Sequence, residues 1–387
     1  MSLVDPLEGT PQLPADVLQT MLEHIPSISE DARRILGPMQ RQADALRALL
    51  LERDWIEPID ASLAGEATVA AVDGAQVQQP LYAGDLVVAV AVAAEGLKPA
   101  GRLGESPVHK VWATFLNHDS DNDRLGKAAM VAEELALLRH LPHDMCILDG
   151  SHQTPVIVIN SALSSQSRQV RQKAVEVLID NETAASLADI CDPEAGGKIV
   201  ASPKSDSSKD LGSLLRQRLS GVREFDLPAT DKVLASLVLE PGEMFKAFPV
   251  PDPWSHLHIE ARSGIDEKEE PHIKRLARDL NEAIRPLREK RVRITYAKPA
   301  DCSTAVKIEF KERKGADWRR QVGAVVSVET PSPHLQEPFA QHLADQWAKS
   351  IGTGVQAQLQ GVRLDLAESG DAKFLEYMLR SYRTFGG

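Results

Sequence analysis

Two short apolar runs, each ending in Asp-Gly, constrain this chain most strongly. They are Ala70-Ala71-Val72-Asp73-Gly74 and Cys146-Ile147-Leu148-Asp149-Gly150-Ser151. A short apolar run of this kind predicts a buried strand, and a glycine after the acid lets the chain turn sharply. Either Asp-Gly pair alone is typical of a plain turn. Together they predict two carboxylates that converge at strand ends, which suits a divalent metal ion and phosphodiester hydrolysis.

The composition bounds the kinds of partner that the chain can bind. Of 387 residues, 43% are hydrophobic and 26% are charged, as in an ordinary globular protein. The net charge of -12 argues against a generally basic nucleic-acid surface, although a local basic groove beside an acidic site stays compatible with it. Aromatic residues make up only 4%, so the sequence does not predict stacking platforms for single-stranded nucleic acid.

The cysteines and the apolar runs favour a cytoplasmic protein. Cys146, Cys191 and Cys302 are widely spaced and odd in number, which fits neither a zinc motif nor a disulfide framework. Residues 1–14 lack the basic-then-apolar pattern of a signal peptide. The longest apolar run, Leu86 to Ala94, is too short to span a bilayer, so we expect no membrane association.

The pattern of elements predicts an α/β fold. Residues 15–53 are expected to be helical with breaks at Pro26 and Pro38, which gives a helical N-terminal arm over residues 1–60. A domain with helical insertions is expected over residues 61–387. Predicted strands are 68–72, 79–81, 86–93, 110–116, 145–148, 156–159, 198–202, 291–296 and 305–310. Predicted helices are 124–140, 166–187, 211–219, 271–289 and 338–351, with another beginning near Asp231. This order is compatible with an RNase H-like mixed sheet flanked by helices.

Other residues are candidates for the same chemistry as Asp73 and Asp149. Glu133 and Glu134 lie between apolar residues, so one of them is expected on the packing side of a helix, and spacing does not choose between them. Lys204 ends a predicted strand, where it can hold a scissile phosphate; an exposed loop lysine is an equally good interpretation.

The histidines offer weaker candidates. His342 and Asp345 are three residues apart and share a helix face, where either can complete a metal site or orient water. A solvated helix residue is the competing interpretation, and His334 shares this segment. His152 follows Asp149 closely enough to support the site, although a plain loop histidine explains it equally well.

The order of these motifs resembles the NurA nuclease family. Val72-Asp73-Gly74-Ala75 is similar to the family's Val-Asp-Gly-Ser motif, with alanine in place of serine, and Leu148-Asp149-Gly150-Ser151 matches its Leu-Asp-Gly-Ser motif. The family's helix glutamate resembles Glu134, with Glu133 as the fallback. Further resemblances are Val200 to Lys204, Pro241-Gly242-Glu243, Lys307-Ile308-Glu309, and Pro338-Phe339-Ala340 through Ala344-Asp345.

The resemblance implies a function and a ligand set. It implies an RNase H-like nuclease that acts on DNA ends with Mn²⁺ or Mg²⁺, held by Asp73, Glu134, Asp149 and Asp345, with Lys204 beside the phosphate. It also implies a homodimer that works with a HerA-type hexameric translocase, in DNA repair or antiviral defence. The chain departs from the family where Glu337 replaces a tyrosine and Asp345 replaces a histidine.

Two other functions compete with the nuclease. One is a scaffold that docks a translocase but no longer cuts, because the ligand set is altered. The other is an actin-like or sugar-kinase-like phosphotransferase, which also uses Asp-Gly after a strand and needs a Gly-rich adenosine motif late in the chain. The nearest match to that motif is Ile351-Gly352-Thr353-Gly354.

Overall fold

The computed structural model describes residues 14–99, 101, 103, 108–192, 198–225, 227, 230–250, 254, 256–260, 270–289, 292–299, 302, 304–312 and 317–368. Its helices are α1 (Ala15–Glu23), α2 (Ile25–Glu52), α3 (Asn122–His140), α4 (Thr154–Leu163), α5 (Arg168–Asp180), α6 (Thr183–Cys191), α7 (Asp210–Arg218), α8 (Asp231–Val238), α9 (Glu270–Ala283), α10 (Arg285–Arg288), α11 (Trp318–Val328), α12 (Phe339–Lys349) and α13 (Ile351–Glu368). Its strands are β1 (Ile56–Pro58), β2 (Val69–Pro80), β3 (Asp85–Glu95), β4 (Val108–Leu116), β5 (Met145–Asp149), β6 (Ile199–Ser202), β7 (Glu243–Phe245), β8 (Phe248–Pro249), β9 (Val292–Lys298) and β10 (Val306–Lys311).

The described strands join one mixed sheet flanked by helices, as the sequence predicts. Their order is β1-β7-β9-β10-β6-β5-β2-β3-β4, and β8 pairs with β9 off this path. Strand β5 lies between β2 and β6 and runs parallel to both. The other pairings are antiparallel. The carboxyl ends of β5 and β6 therefore lie beside the middle of β2, where its parallel pairing with β5 stops.

Strand β2 continues past its aspartate, which corrects the prediction of a strand end and a sharp turn there. Asp73 and Gly74 lie within β2 and pair with Val92 and Ala91 of β3. The parallel pairing with β5 nevertheless stops one residue earlier, at Val72. Asp73 is thus placed where two strands separate, because the long hairpin holds β2 after β5 has ended.

Alternate residues of the central strands build two cores on opposite faces of the sheet. Ala70 and Val72 pack in the cluster that contains α3, α5 and α6, whereas Val69 and Ala71 pack in the cluster that contains α11 and Ala340 of α12. Since side chains alternate along a strand, Asp73 belongs to the α12 face and Gly74 to the α3 face. Helices from both sides can therefore contribute to a site at this position.

The N-terminal helices are largely exposed, and the predicted break at Pro38 is wrong. Helix α2 begins around Pro26 as expected, but it continues through Pro38, which removes one backbone hydrogen bond without ending the helix. The arm joins the rest of the protein through its C-terminal part, where Leu46 and Leu50 are buried. Arg47 forms two hydrogen bonds with Glu243, of 2.5 and 2.8 Å.

Four further predictions need correction. Residues 156–159, predicted as a strand, lie in helix α4; a short apolar run has no period that separates a strand from a buried helix. The single helix predicted over 166–187 is two helices, α5 and α6, because Glu182 adopts a left-handed conformation with φ of 48°. The strands predicted at 68–72 and 79–81 are parts of the single strand β2, and the helix predicted over 271–289 is divided into α9 and α10. Most of the other predicted elements differ from the observed ones by only a few residues at their ends.

No helix in the described parts of the chain combines the length and the apolar character needed to cross a bilayer. The segment Ile351-Gly352-Thr353-Gly354, the nearest match to an adenosine motif, forms the first turn of helix α13. A helix does not offer the open Gly-rich loop that such a motif requires, which removes the main support for the phosphotransferase hypothesis.

Candidate active site

The parallel register brings the two Asp-Gly motifs together. Val72 of β2 pairs with Leu148 of β5, so Asp73 and Asp149 follow at adjacent positions. Asp149 in turn pairs with Ser202 of β6, and Lys204 comes two residues later. In each aspartate, Oδ1 accepts a hydrogen bond from the N–H of the following glycine, at 2.8 Å for Asp73 and 2.9 Å for Asp149. The Oδ2 atom of each aspartate lies near the ammonium group of Lys204.

The ammonium group of Lys204 is the point on which these carboxylates converge. Its Nζ lies 3.0 Å from Asp73 Oδ2 and 3.2 Å from Asp149 Oδ2. Helix α12 brings Asp345 to the same nitrogen, with Oδ1 at 2.6 Å, and Glu337 lies just before that helix at 3.5 Å. Residues separated by more than 270 positions thus meet around one cation.

A buried amide holds Asp149 in place. Gln341 is fully buried, and its Nε2 donates to Asp149 Oδ1 at 2.6 Å and to the Ser202 carbonyl at 2.8 Å. Gln341 precedes Asp345 by four residues and therefore lies on the same face of α12. The same helix face anchors Asp149 and supplies Asp345. Gln341 could not be selected from the sequence, since a glutamine within a helix carries no signal of its own.

Of the two adjacent glutamates in α3, the structure places Glu134 at the site. A Cβ on Gly74 would lie 2.4 Å from Glu134 Oε1, so this glutamate packs directly over the glycine. Glu133 turns to another surface, where it accepts a hydrogen bond from Asn181 at 3.1 Å and lies 3.5 Å from Lys110 Nζ. The absence of a side chain at position 74 admits Glu134 from the α3 face.

Three carboxyl groups of this cluster, those of Asp73, Glu134 and Asp345, have shifted pKa values. Burial, together with the charge of Asp149, raises the pKa of Asp73 to about 7 despite the opposing effect of Lys204. Burial and the charges of Asp73 and Asp149 raise the pKa of Glu134 well above its usual value. Burial also opposes ionisation of Asp345, but hydrogen bonds from Lys204 and Lys349 outweigh it and lower the pKa of that carboxyl. One ammonium therefore does not compensate all the buried acids.

These groups line a cleft of about 650 Å³. The acidic end contains Asp73, Glu134, Asp149, Lys204 and Asp345. The other end is formed by the polar segment 205–208 and by Lys307 of β10. Lys307 Nζ lies 3.1 Å from Asp206 Oδ1 and 3.2 Å from Ser208 Oγ, and the hydroxyl of Tyr296 donates to Asp206 Oδ2 at 2.7 Å.

The strand β10 also fixes the loop that follows Asp149. Glu309 is buried, and its Oε2 accepts hydrogen bonds from Ser151 Oγ at 2.8 Å and from the His152 N–H at 3.0 Å. The His152 ring is buried against Glu309, and this burial lowers its pKa. His152 therefore packs beneath the loop that follows Asp149 and helps to hold it against Glu309. The neutral form that burial favours is consistent with a packing role.

The remaining histidine candidate, His342, lies at the edge of the carboxylate cluster. His342 Nδ1 is 3.3 Å from Glu337 Oε1, and Glu337 contacts Lys204 through its other oxygen. His342 thus reaches the cluster through Glu337. Glu337, which replaces the tyrosine expected from the NurA resemblance, is an additional carboxylate of this group.

The donor chemistry fits a divalent metal ion, although the side chains are not arranged around one. No group of three or more His, Cys, Asp or Glu residues in the described part of the chain forms a ready metal site. The carboxylates instead converge on Lys204. Asp73, Glu134, Asp149 and Asp345 nevertheless offer only hard oxygen donors, and two of them have raised pKa values that a divalent cation would reverse.

Comparison with solved structures identifies the architecture. The structure of the NurA nuclease from Sulfolobus solfataricus is similar with a TM-score of 0.52, covering 90% of this chain and 98% of that chain at 13% sequence identity. This chain has the NurA fold. The resemblance inferred from the Asp-Gly motifs is thereby confirmed at the level of the fold.

Other NurA structures are less similar. A NurA structure with manganese has a TM-score of 0.48 at 10% identity, covering 83% of this chain and 93% of that one. Another NurA structure has a TM-score of 0.44 at 11% identity, with 83% and 94% covered. No family model matches the sequence, and no curated protein matches it. At 13% identity, the likeness to the Sulfolobus solfataricus structure concerns the fold alone.

Proposed function

We propose that this protein is a metal-dependent DNA nuclease. The observation that carries the proposal is the convergence of Asp73, Asp149 and Asp345 on one point of the cleft, with Glu134 packed beside them. Four carboxylates brought together from two strands and two helices are costly to bury without a cation. Phosphodiester hydrolysis uses such a set to hold one or two divalent ions.

Each residue has a defined part in this proposal. Asp73, Glu134, Asp149 and Asp345 hold Mn²⁺ or Mg²⁺, and Glu133 stays outside the ligand set. The bound ion supplies Lewis acidity, which lowers the pKa of the attacking water and stabilises charge on the leaving oxygen. Lys204 neutralises the scissile phosphate as a point charge. Gln341 keeps Asp149 oriented, and Glu309 keeps the loop after Asp149 in place.

The cleft favours a nucleic-acid strand as the substrate. Its acidic end adjoins the hydroxyl-rich segment 205–208 and Lys307. The carboxylates proposed to bind the metal therefore lie next to polar groups that can contact a sugar-phosphate chain. With a net charge of -12, the isolated protein is expected to bind DNA weakly and with a shallow dependence on salt.

The wider assignments extend the NurA resemblance. We propose a cytoplasmic homodimer that receives DNA from a HerA-type hexameric translocase, which supplies much of the affinity for DNA. The arm over residues 1–60 is proposed as a separate unit from the nuclease domain over 61–387. DNA-end repair and defence against foreign DNA both fit this activity.

One observation favours a second candidate, a scaffold that no longer cuts. The ammonium of Lys204 already lies among the carboxylates, and Glu337 and Asp345 replace the tyrosine and histidine expected from the NurA resemblance. A site permanently neutralised by its own lysine would preserve the fold and the docking surfaces without metal. The two candidates differ in whether Mn²⁺ binds at all.

The deciding experiment is digestion of labelled linear single- and double-stranded DNA with Mn²⁺, with and without a HerA-type translocase. Asp149→Asn is expected to reduce cleavage at least about a hundredfold, because it removes a charged ligand. Asp180→Asn, which changes an exposed carboxylate on α5, is the matched control and is expected to cut like the wild type. Absence of cleavage by the folded wild type in every condition would favour the scaffold.

A further inference from the structure

Lys204 is placed to exchange partners. Its backbone carbonyl accepts a hydrogen bond from Lys232 Nζ at 2.8 Å. Pro203 precedes Lys204 in the chain, and both features restrict the backbone at this position. The side chain is 31% exposed and points into the cleft. A fixed backbone with a long, partly solvated side chain lets the ammonium move without rearranging the fold.

The lysine occupies the oxygens that a metal ion would use. Oδ1 of Asp73 and of Asp149 are already engaged by backbone N–H groups, and Gln341 also donates to Asp149 Oδ1. The Oδ2 atoms that remain are those within 3.0 and 3.2 Å of Lys204 Nζ. The ammonium and a divalent ion therefore compete for the same two atoms.

Asp345 differs from the two strand aspartates because it has a second lysine. Lys349 Nζ lies 2.6 Å from Asp345 Oδ2, while Lys204 contacts Oδ1 at 2.6 Å. If Lys204 leaves, Asp345 keeps one cationic partner. Asp73 and Asp149 lose their contact with Lys204, and with it the lysine that most directly offsets their charge.

We propose that Lys204 is a resident counter-ion that keeps the divalent ion out until a DNA phosphate draws the ammonium away. This inference rests on the proposed nuclease function and adds a coupling between metal and substrate. A phosphate entering the cleft gives Lys204 a new anionic partner and leaves Asp73 and Asp149 uncompensated, which raises the affinity of the site for a divalent cation. By linkage, metal binding strengthens DNA binding by the same factor.

The test measures Mn²⁺ affinity directly, from the paramagnetic resonance signal of free Mn²⁺, with and without a short single-stranded DNA whose linkages are phosphorothioates that resist cleavage. A titration of the DNA alone corrects for Mn²⁺ bound by its phosphates. The wild type is expected to bind Mn²⁺ about tenfold or more tightly when this DNA is present. Lys204→Met is expected to bind Mn²⁺ tightly without DNA and to gain little when DNA is added.

Controls separate this inference from the function on which it rests. Lys209→Met removes an exposed lysine of the same segment and is expected to behave like the wild type. Lys204→Arg keeps the charge and is expected to retain the dependence on DNA, which keeps the test valid if the methionine variant does not fold. Equal Mn²⁺ affinity of the wild type with and without DNA would overturn the counter-ion role. Failure of both the wild type and Lys204→Met to bind Mn²⁺ would instead overturn the metal site itself.

Discussion

Gln341 donates a hydrogen bond of 2.6 Å to Asp149 across 192 positions of sequence. The contact joins the helix that supplies Asp345 to the strand that supplies Asp149. Its second bond, to the Ser202 carbonyl, fixes which end of the amide faces the aspartate, because the flipped amide would set oxygen against oxygen. One buried side chain therefore orients Asp149 and links it to α12.

Gln341→Leu is expected to weaken Mn²⁺ binding about ten- to a hundredfold, as loss of a residue that orients a ligand usually does. The free energy of unfolding should fall by about 1–3 kcal/mol, because the Ser202 carbonyl loses its buried hydrogen-bond donor. Calorimetric Mn²⁺ titration and chemical denaturation measure the two effects. Gln356→Leu, at an exposed position of α13, should change neither. Unchanged Mn²⁺ affinity in Gln341→Leu would show that Asp149 does not depend on this contact.

The adjacent glutamates of α3 provide a matched pair. Glu134→Gln is expected to reduce both Mn²⁺ affinity and DNA cleavage, because it removes a carboxylate that faces Asp73 and Asp149. Glu133→Gln should retain both, with a stability loss of no more than about 1 kcal/mol from its ion pair with the partly exposed Lys110. Binding and cleavage assays on the two variants check this. The reverse pattern would place Glu133 at the site.

Gly74→Ala tests the packing that admits Glu134. The new Cβ would lie 2.4 Å from Glu134 Oε1, 2.6 Å from Met130 Cγ and 3.0 Å from the Val90 carbonyl, so the glutamate or the strand must shift. We expect weaker Mn²⁺ binding and a lower melting temperature. Gly361→Ala meets nothing within 4 Å on helix α13 and should stabilise the protein by up to about 1 kcal/mol. Similar behaviour of the two variants would contradict the close contact.

The buried side chain of Lys311 is expected to make the stability of the protein depend on pH. This side chain is fully buried, its Nζ has no hydrogen-bond partner among the described residues, and burial lowers its pKa from 10.5 to about 8. Between these values the unfolded chain binds more protons than the folded protein. The lysine's contribution to stability is therefore greatest above 10.5 and is lost as the pH falls towards 8, a change of about 3 kcal/mol.

Lys311→Met is expected to remove this dependence. Its free energy of unfolding at neutral pH should rise by up to about 3 kcal/mol, since an uncharged side chain of similar length avoids the cost of burying a charge. Denaturation at pH values of about 7 and about 10 measures the slope, with Lys209→Met as the exposed control. A slope that persists in Lys311→Met would assign it to another group.

Much of the fold could be predicted from sequence because its central elements carry strong local patterns. Helix α3 has a long run of helix-forming residues, and the hairpin β2–β3 has a turn at Gly84 between apolar strands. The strand predicted at 156–159 became helix α4 because an apolar run of four residues has no resolvable period. The extension of β2 beyond Asp73 could not be predicted either, since it depends on pairing with β3 rather than on the residues of β2.

The site was less predictable than the fold. Asp73, Asp149 and Lys204 follow apolar runs and could be selected from local sequence. The spacing of residues did not choose between Glu134 and Glu133; the family resemblance favoured Glu134, and its position over Gly74 depends on how α3 packs on β2. Gln341 carries no signal at all, because only the approach of α12 to β5 gives its amide a function. The candidate carboxylates Asp73, Glu134, Asp149 and Asp345 were thus predicted from sequence motifs, whereas the amide that holds Asp149 was not.

The carboxylates around Lys204 come from positions 73 to 345, and this wide separation bears on how the protein is made. A chain growing on the ribosome can form the β2–β3 hairpin early, but Asp345 and Gln341 are synthesised long after Asp73. Contacts between such distant positions form late in folding. A partly synthesised chain therefore lacks a complete carboxylate cluster until the residues of α12 have been made.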